Sequence, residues 1–194
     1  MTDKRFTKIR NVVEKRQKNF TLVLENIHDR HNVSAILRSA DAVGIDKVYL
    51  IYNTNKFPKI GKSSSASAKK WITLERFGNV KDCFDNLRAE KYKIYSTHLS
   101  GHRKNYSLYD LNLTQRTALV FGNEHTGVSD EVKEMSDRNF QIPMYGMIQS
   151  LNVSVAVAVS LYEALRQRDV KGKYLRSDYS KTELKEKINN YINR

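Results

Sequence analysis

A chain of 194 residues, 40 % hydrophobic and 28 % charged, is long enough to bury one core without disulfide help. Its single cysteine excludes an intrachain disulfide framework. A balance of 34 Lys and Arg against 21 Asp and Glu leaves a net charge of +13, which points to a polyanionic partner: RNA, DNA or an anionic membrane. The opening residues, MTDKRFTKIR, contain no apolar signal-peptide core, and no uninterrupted run reaches the roughly 18 apolar residues of a membrane span, so a cytoplasmic protein is expected.

In the first segment Lys4, Arg5, Lys8, Arg10, Lys15, Arg16 and Lys18 outnumber Asp3 and Glu14. Ile9, Val12 and Val13 fall at helical spacing, so a short basic amphipathic helix is expected. It is either an arm on nucleic-acid phosphates or a solvated face. Apolar runs then read as strands at 21–24, 48–52, 94–97, 118–121 and 140–142. Helical patterns fall between them at 33–43, 80–90 and 128–135. Such alternation implies an α/β fold, a mostly parallel sheet with helices on both faces and ligands at the carboxyl ends of its strands.

Several features are decoys. KSSSASAKK at 62–70 reads as a loop. GKS at 61–63 resembles the end of a phosphate-binding loop, but the glycine that motif needs five positions earlier is Lys56. Cys83, among Val80, Phe84 and Leu87, reads as a small core residue. His28, His31, His98, His102 and His125 have no cysteine partners at zinc spacing, so no metal site is expected.

Val153, Val155, Val157 and Val159 alternate as a strand would. The run from 151 to 168 is too long for a strand, so a helix is expected, capped by Ser150 or Asn152 and buried on more than one side. The tail at 182–194 reads as a final amphipathic helix presenting Leu184, Ile188, Tyr191 and Ile192. The expected organisation is a basic helical extension at 1–19, one domain at 20–169 and a basic extension at 170–194.

Three blocks carry the candidate chemistry. In HNVSAILRSADAVG (31–44), Asn32 is a plausible helix cap. Arg38 is either paired with Asp41 one turn on or aimed at a phosphate. In FGNEHTG (121–127) a strand ends, Gly122 allows a tight turn or close approach to a ligand, and Asn123 and Glu124 are presented at the strand's carboxyl end. Ser129 with Asp130 and Glu131 opens the next helix. In IPMYGMIQSLNVSVA (142–156) a loop with Pro143 and Gly146 places a polar Gln-Ser-Leu-Asn patch against the most apolar segment of the chain.

Taken in this order and spacing, the blocks closely resemble the SPOUT superfamily of RNA methyltransferases, and within it the TrmH family of tRNA guanosine-2′-O-methyltransferases. The similarity also takes in WITLERF, STHLS and YEALRQR, and runs over about residues 1–175. It implies a C-terminal deep trefoil knot, S-adenosylmethionine as methyl donor, tRNA as partner and a homodimer; the expectations of no metal and no membrane rest on the residues themselves. By resemblance, Thr97, Gly122, Ile142 and Leu151 line the donor site, and the helix after Asn152 lies in the dimer interface. The family's catalytic arginine corresponds to Arg38, and Asn32, Glu124, Ser150 and Asn152 match its other functional positions. An arginine side chain does not deprotonate at neutral pH. Arg38 is therefore expected to grip a phosphate and stabilise charge on the 2′-oxygen. The target implied is the D-loop guanosine of tRNA. The alternatives are a 2′-O-methyltransferase acting on rRNA or another tRNA position, or an RNA-binding protein without catalysis.

Overall fold

The computed structural model describes residues 2–54, 56–58, 68–98 and 105–194. The GKS triplet, His102 and the serine-rich patch before Ala68 lie outside the described residues. Seven strands form one sheet: β1 (Phe20–Glu25), β2 (Lys47–Ile51), β3 (Thr73–Phe77), β4 (Lys93–Thr97), β5 (Asn105–Ser107), β6 (Thr117–Phe121) and β7 (Arg138–Gln141). Their order is β3-β2-β1-β6-β4-β7-β5, and every ladder is parallel.

The five strands expected from apolar runs are present. The two that were not expected, β3 and β5, are the edges. Their residues are only partly buried, so neither needs a continuous apolar run. The central strands β1 and β6 are buried along their whole length, and their sequences are correspondingly apolar.

Period-2 geometry divides the core between the two faces. Leu22, Leu24, Leu119 and Phe121 pack beneath α2 (Arg30–Ala42) and α6 (Val153–Val170). Val23, Ala118 and Val120 pack beneath α4 (Val80–Ala89) and α5 (Asp130–Met135). Cys83 belongs to this second cluster, and burial pushes its thiol pKa up.

The caps fix where the site helices begin. The expected cap for α2, Asn32, is not the cap. Asp29 takes that role, accepting from the His31 amide at 2.7 Å, and leaves Asn32 in the first turn. For α6 the cap is Asn152 rather than Ser150, with its Oδ1 accepting from the Ser154 amide at 2.9 Å. Ser129 caps α5 as expected. Within this single chain α6 buries one face only, where burial on more than one side was expected. Val153, Val157, Leu161 and Ala164 are buried, whereas Val155 is 47 % and Tyr162 55 % exposed.

The two ends of the chain meet. Ile9 and Val13 of α1 (Asp3–Glu14) form a small core with Tyr191 of α7 (Lys181–Ile192), flanked by Leu184, Ile188 and Trp71, the last on α3 (Ala68–Trp71), a short helix that begins within the stretch expected to be loop. Arg16 is not part of a free basic arm, because it is 1 % exposed. Lys18 is paired with Glu183 at 2.5 Å. Among the described residues, no helix is long and apolar enough to cross a membrane.

Candidate active site

The carboxyl ends of β4, β6 and β7 converge on one cavity of about 490 Å³. That lies within the roughly 300–1,000 Å³ usual for small-molecule sites. Thr97 ends β4, Gly122 follows β6, Ile142 follows β7, and Leu151 precedes the α6 cap. All four line the cavity, between the aromatic rings of Phe121 and Phe140 and the polar groups of Glu124, Ser150 and Asn152. Asn32 and Arg38 do not line it.

The loop after β6 is tightly closed. A Cβ on Gly122 would fall 2.2 Å from the Gly127 carbonyl group, so no other residue fits without moving the loop. Gly127 has φ +70° and donates its amide to the Asn123 carbonyl at 2.8 Å. The Asn123 side chain bridges outward, donating to the Asn26 carbonyl at 3.0 Å and accepting from the His125 amide at 2.7 Å. Glu124 is thereby carried on a short, closed turn.

Asn32 connects three elements. Its Nδ2 donates to Glu124 Oε1 at 2.7 Å, and its Oδ1 accepts from Asn152 Nδ2 at 3.1 Å. Asn152 uses its own Oδ1 to cap α6. Each amide is therefore engaged at both ends, and α2, the 122–127 turn and α6 are tied together at the cavity mouth. Asn32 is buried; Ser150 is exposed.

Arg38 stands apart, on the exposed side of α2. Six residues beyond Asn32, it lies roughly 9 Å further along the helix axis. It has no hydrogen-bond or ion-pair partner among the described residues; of its two readings, the pair with Asp41 does not form, because Asp41 is bound to Arg16 instead.

Sequence reasoning did not single out His98 or Lys133, which also line the cavity. Burial, then nearby Lys133, hold the His98 imidazole below its ordinary pKa. The one signal for His98 was its position directly after a strand end. The described residues contain no group of His, Cys, Asp and Glu able to hold a metal ion.

Comparison with known proteins fits this geometry. Residues 19–162 match the model of the SpoU rRNA methylase family. The tRNA (guanosine(18)-2′-O)-methyltransferase of Aquifex aeolicus is 40 % identical over 182 residues, covering 94 % of this chain and 85 % of that one. Its Escherichia coli counterpart is 36 % identical, covering 92 % and 76 %. The 23S rRNA (guanosine-2′-O-)-methyltransferase RlmB of Escherichia coli is 35 % identical, covering 77 % and 60 %. The crystal structure of the A. aeolicus TrmH/SpoU tRNA modifying enzyme superposes with a TM-score of 0.90 at 38 % identity, covering 98 % of this chain and 96 % of that one. The SpoU methyltransferase AviRb from Streptomyces viridochromogenes, in complex with the cofactor AdoMet, gives 0.69 at 25 % identity, covering 81 % and 62 %. With its parallel sheet, its strand-end cavity and a match over most of its length, the chain belongs to the SpoU rRNA methylase family of methyltransferases.

Proposed function

We propose that this protein transfers a methyl group from S-adenosylmethionine to the ribose 2′-hydroxyl of guanosine 18 in the tRNA D-loop, the reaction named for its Aquifex and Escherichia relatives. The observation that carries the reading is the Glu124–Asn32–Asn152 chain of hydrogen bonds at the mouth of the strand-end cavity. The cavity suits the donor: it has aromatic and aliphatic walls for an adenine ring and polar groups at its mouth for the charged end.

S-adenosylmethionine supplies an electrophilic methyl carried on a sulfonium. In this reading Thr97, Gly122, Ile142 and Leu151 hold the donor. Asn32, Glu124 and Asn152 fix the loops around it, and Ser150 faces the entering ribose. Arg38 binds the neighbouring phosphate and stabilises the negative charge growing on the 2′-oxygen; as that oxygen takes the methyl group and the neutral thioether leaves, the hydroxyl proton passes to the phosphate, because the always-charged planar fork of an arginine suits charge stabilisation better than proton abstraction. Orientation and fixed charge then provide most of the rate.

The proposal extends to architecture. The segment at 142–152, which shares the cavity with the turn after β6, is read as the threaded part of a deep trefoil knot. Tyr145 and Met147 are almost fully exposed and Val155 and Tyr162 about half exposed, and this apolar surface is read as the homodimer interface. The basic ends, 1–19 and 170–194, flank the 20–169 domain and hold tRNA in the cytoplasm.

A second reading, methylation of rRNA, has support from the similarity to RlmB. The tRNA reading is preferred because the relatives so named match 92–94 % of the chain, against 77 % for RlmB. The test is transfer of labelled methyl to unmodified tRNA transcript and to rRNA, mapped to the nucleotide, with Arg38→Ala alongside. Label on the D-loop guanosine ribose, lost in Arg38→Ala, supports the proposal. Label elsewhere rejects the target, and failure to bind S-adenosylmethionine by calorimetry would leave an RNA-binding protein.

A further inference from the structure

We propose that Arg16 is a positioning residue for Arg38: it neutralises Asp41, so that no bare carboxylate shares the RNA-facing side of α2 with the catalytic arginine. The inference rests on the reading of Arg38 as the group that grips RNA phosphate.

Asp41 follows Arg38 by three positions, which puts the two side chains on neighbouring turns of one helix face. The Asp41 side chain is one-third exposed. Left alone, its carboxylate would both pair with Arg38 and repel an incoming phosphate. It would also sit at the electronegative end of α2, where an acid is unfavourable. The structure removes all three problems with one side chain. Arg16 Nη2 donates to Asp41 Oδ1, while Nη1 donates to the Asp41 carbonyl at 3.3 Å and the Ile45 carbonyl at 2.8 Å. Buried as it is, Arg16 cannot itself reach RNA, although it comes from the basic opening segment.

Arg16 owes its place to both ends of the chain. It follows the α1 C-cap, Lys15, and its guanidinium lies 5.8 Å from the centre of the Tyr191 ring of α7. The next acid along, Asp46, is matched from the C-terminal region, by Lys187 at 2.5 Å and the Tyr179 hydroxyl at 2.6 Å. The docked ends thus quench the acidic end of α2 and leave Arg38 uncompensated. The role of the terminal helices is electrostatic at the active helix as well as structural.

The test is a charge-suppression series in the full-length protein: Arg16→Gln, Asp41→Asn, the double variant and Arg16→Lys, with Arg38→Ala as control. The KM for tRNA transcript, kcat and the Tm are measured for each. Arg16→Gln is expected to raise KM by roughly three- to tenfold, the scale of one partly screened charge. Adding Asp41→Asn is expected to return KM to within about twofold of wild type while Tm stays low, because the lost Ile45 contact is not restored. A double variant no better than Arg16→Gln, or a KM that simply follows Tm, overturns the proposal. Should Arg16→Gln fail to fold, Arg16→Lys decides: it keeps the charge and loses the fork. A wild-type KM with a lowered Tm supports neutralisation, and a raised KM overturns it. Full activity in Arg38→Ala would instead defeat the reading of Arg38, whatever the Arg16 series shows.

Discussion

Asn32 shows how far a single residue type can be read and where reading stops. An asparagine ahead of an apolar-periodic run is a reasonable helix cap, but the chain supplies Asp29 three positions earlier, which frees the Asn32 amide for Glu124 and Asn152. Asn32→Ala is expected to remove both hydrogen bonds at a cost of about 0.5–1.5 kcal/mol each, because their exposed partners Glu124 and Asn152 can turn to water. Methyl transfer should fall at least tenfold, while calorimetric binding of S-adenosylmethionine is largely retained, since Asn32 does not line the cavity. Loss of donor binding in that variant would place Asn32 in the donor site. Gly122 is a different case: the sequence left open a tight turn or a close ligand, and the 2.2 Å approach of Gly127 identifies a tight turn. Gly122→Ala must displace the loop, with an overpacking cost of about 1–3 kcal/mol. It should lower Tm and weaken donor binding together, and unchanged values for both would show that the loop yields freely.

At the level of elements, helices were legible because a 3.6-residue apolar period is hard to produce by accident, and central strands because burial on both faces demands continuous apolar runs. Edge strands β3 and β5 carry no such demand and left no such pattern. The helix α6 lies between these cases. Its valines are apolar on every side, yet only one face is buried within the chain. If the exposed face is a subunit interface, Val155→Asp should shift the sedimentation coefficient from dimer to monomer at micromolar concentration. A variant that sediments as the wild type does would move the interface elsewhere.

Across the whole molecule, the two ends of the chain converge on one small core: local pattern announced the apolar faces of α1 and α7, but not that they pack on each other. Trp71, the single tryptophan, packs with its ring 5.2 Å from that of Tyr191 and so reports directly on the docking of α7. The Lys18 ammonium, then the Ser180 cap, hold the Glu183 carboxyl at about 2, below the ordinary value of about 4.3. A carboxyl lowered by folding contributes stability above its ordinary value and loses it as pH falls through the folded one. Trp71 emission should therefore shift to the red between about pH 4 and pH 2, with the step diminished in Glu183→Gln; identical titrations would show that the Lys18 pair does not hold the helix. The same long-range closure explains Arg16, which the sequence counts as one more basic arm residue and the structure buries against Asp41. Composition, periodicity and three motif blocks by themselves determined the α/β class, the five inner strands, every α-helix but the short one at Ala68–Trp71 and a set of candidate residues, because burial and local backbone geometry leave marks within a few positions. Which amides meet, which arginine is buried and which carboxylate it quenches were decided only by the tertiary structure, because the partners are 25 to 120 residues apart in the chain.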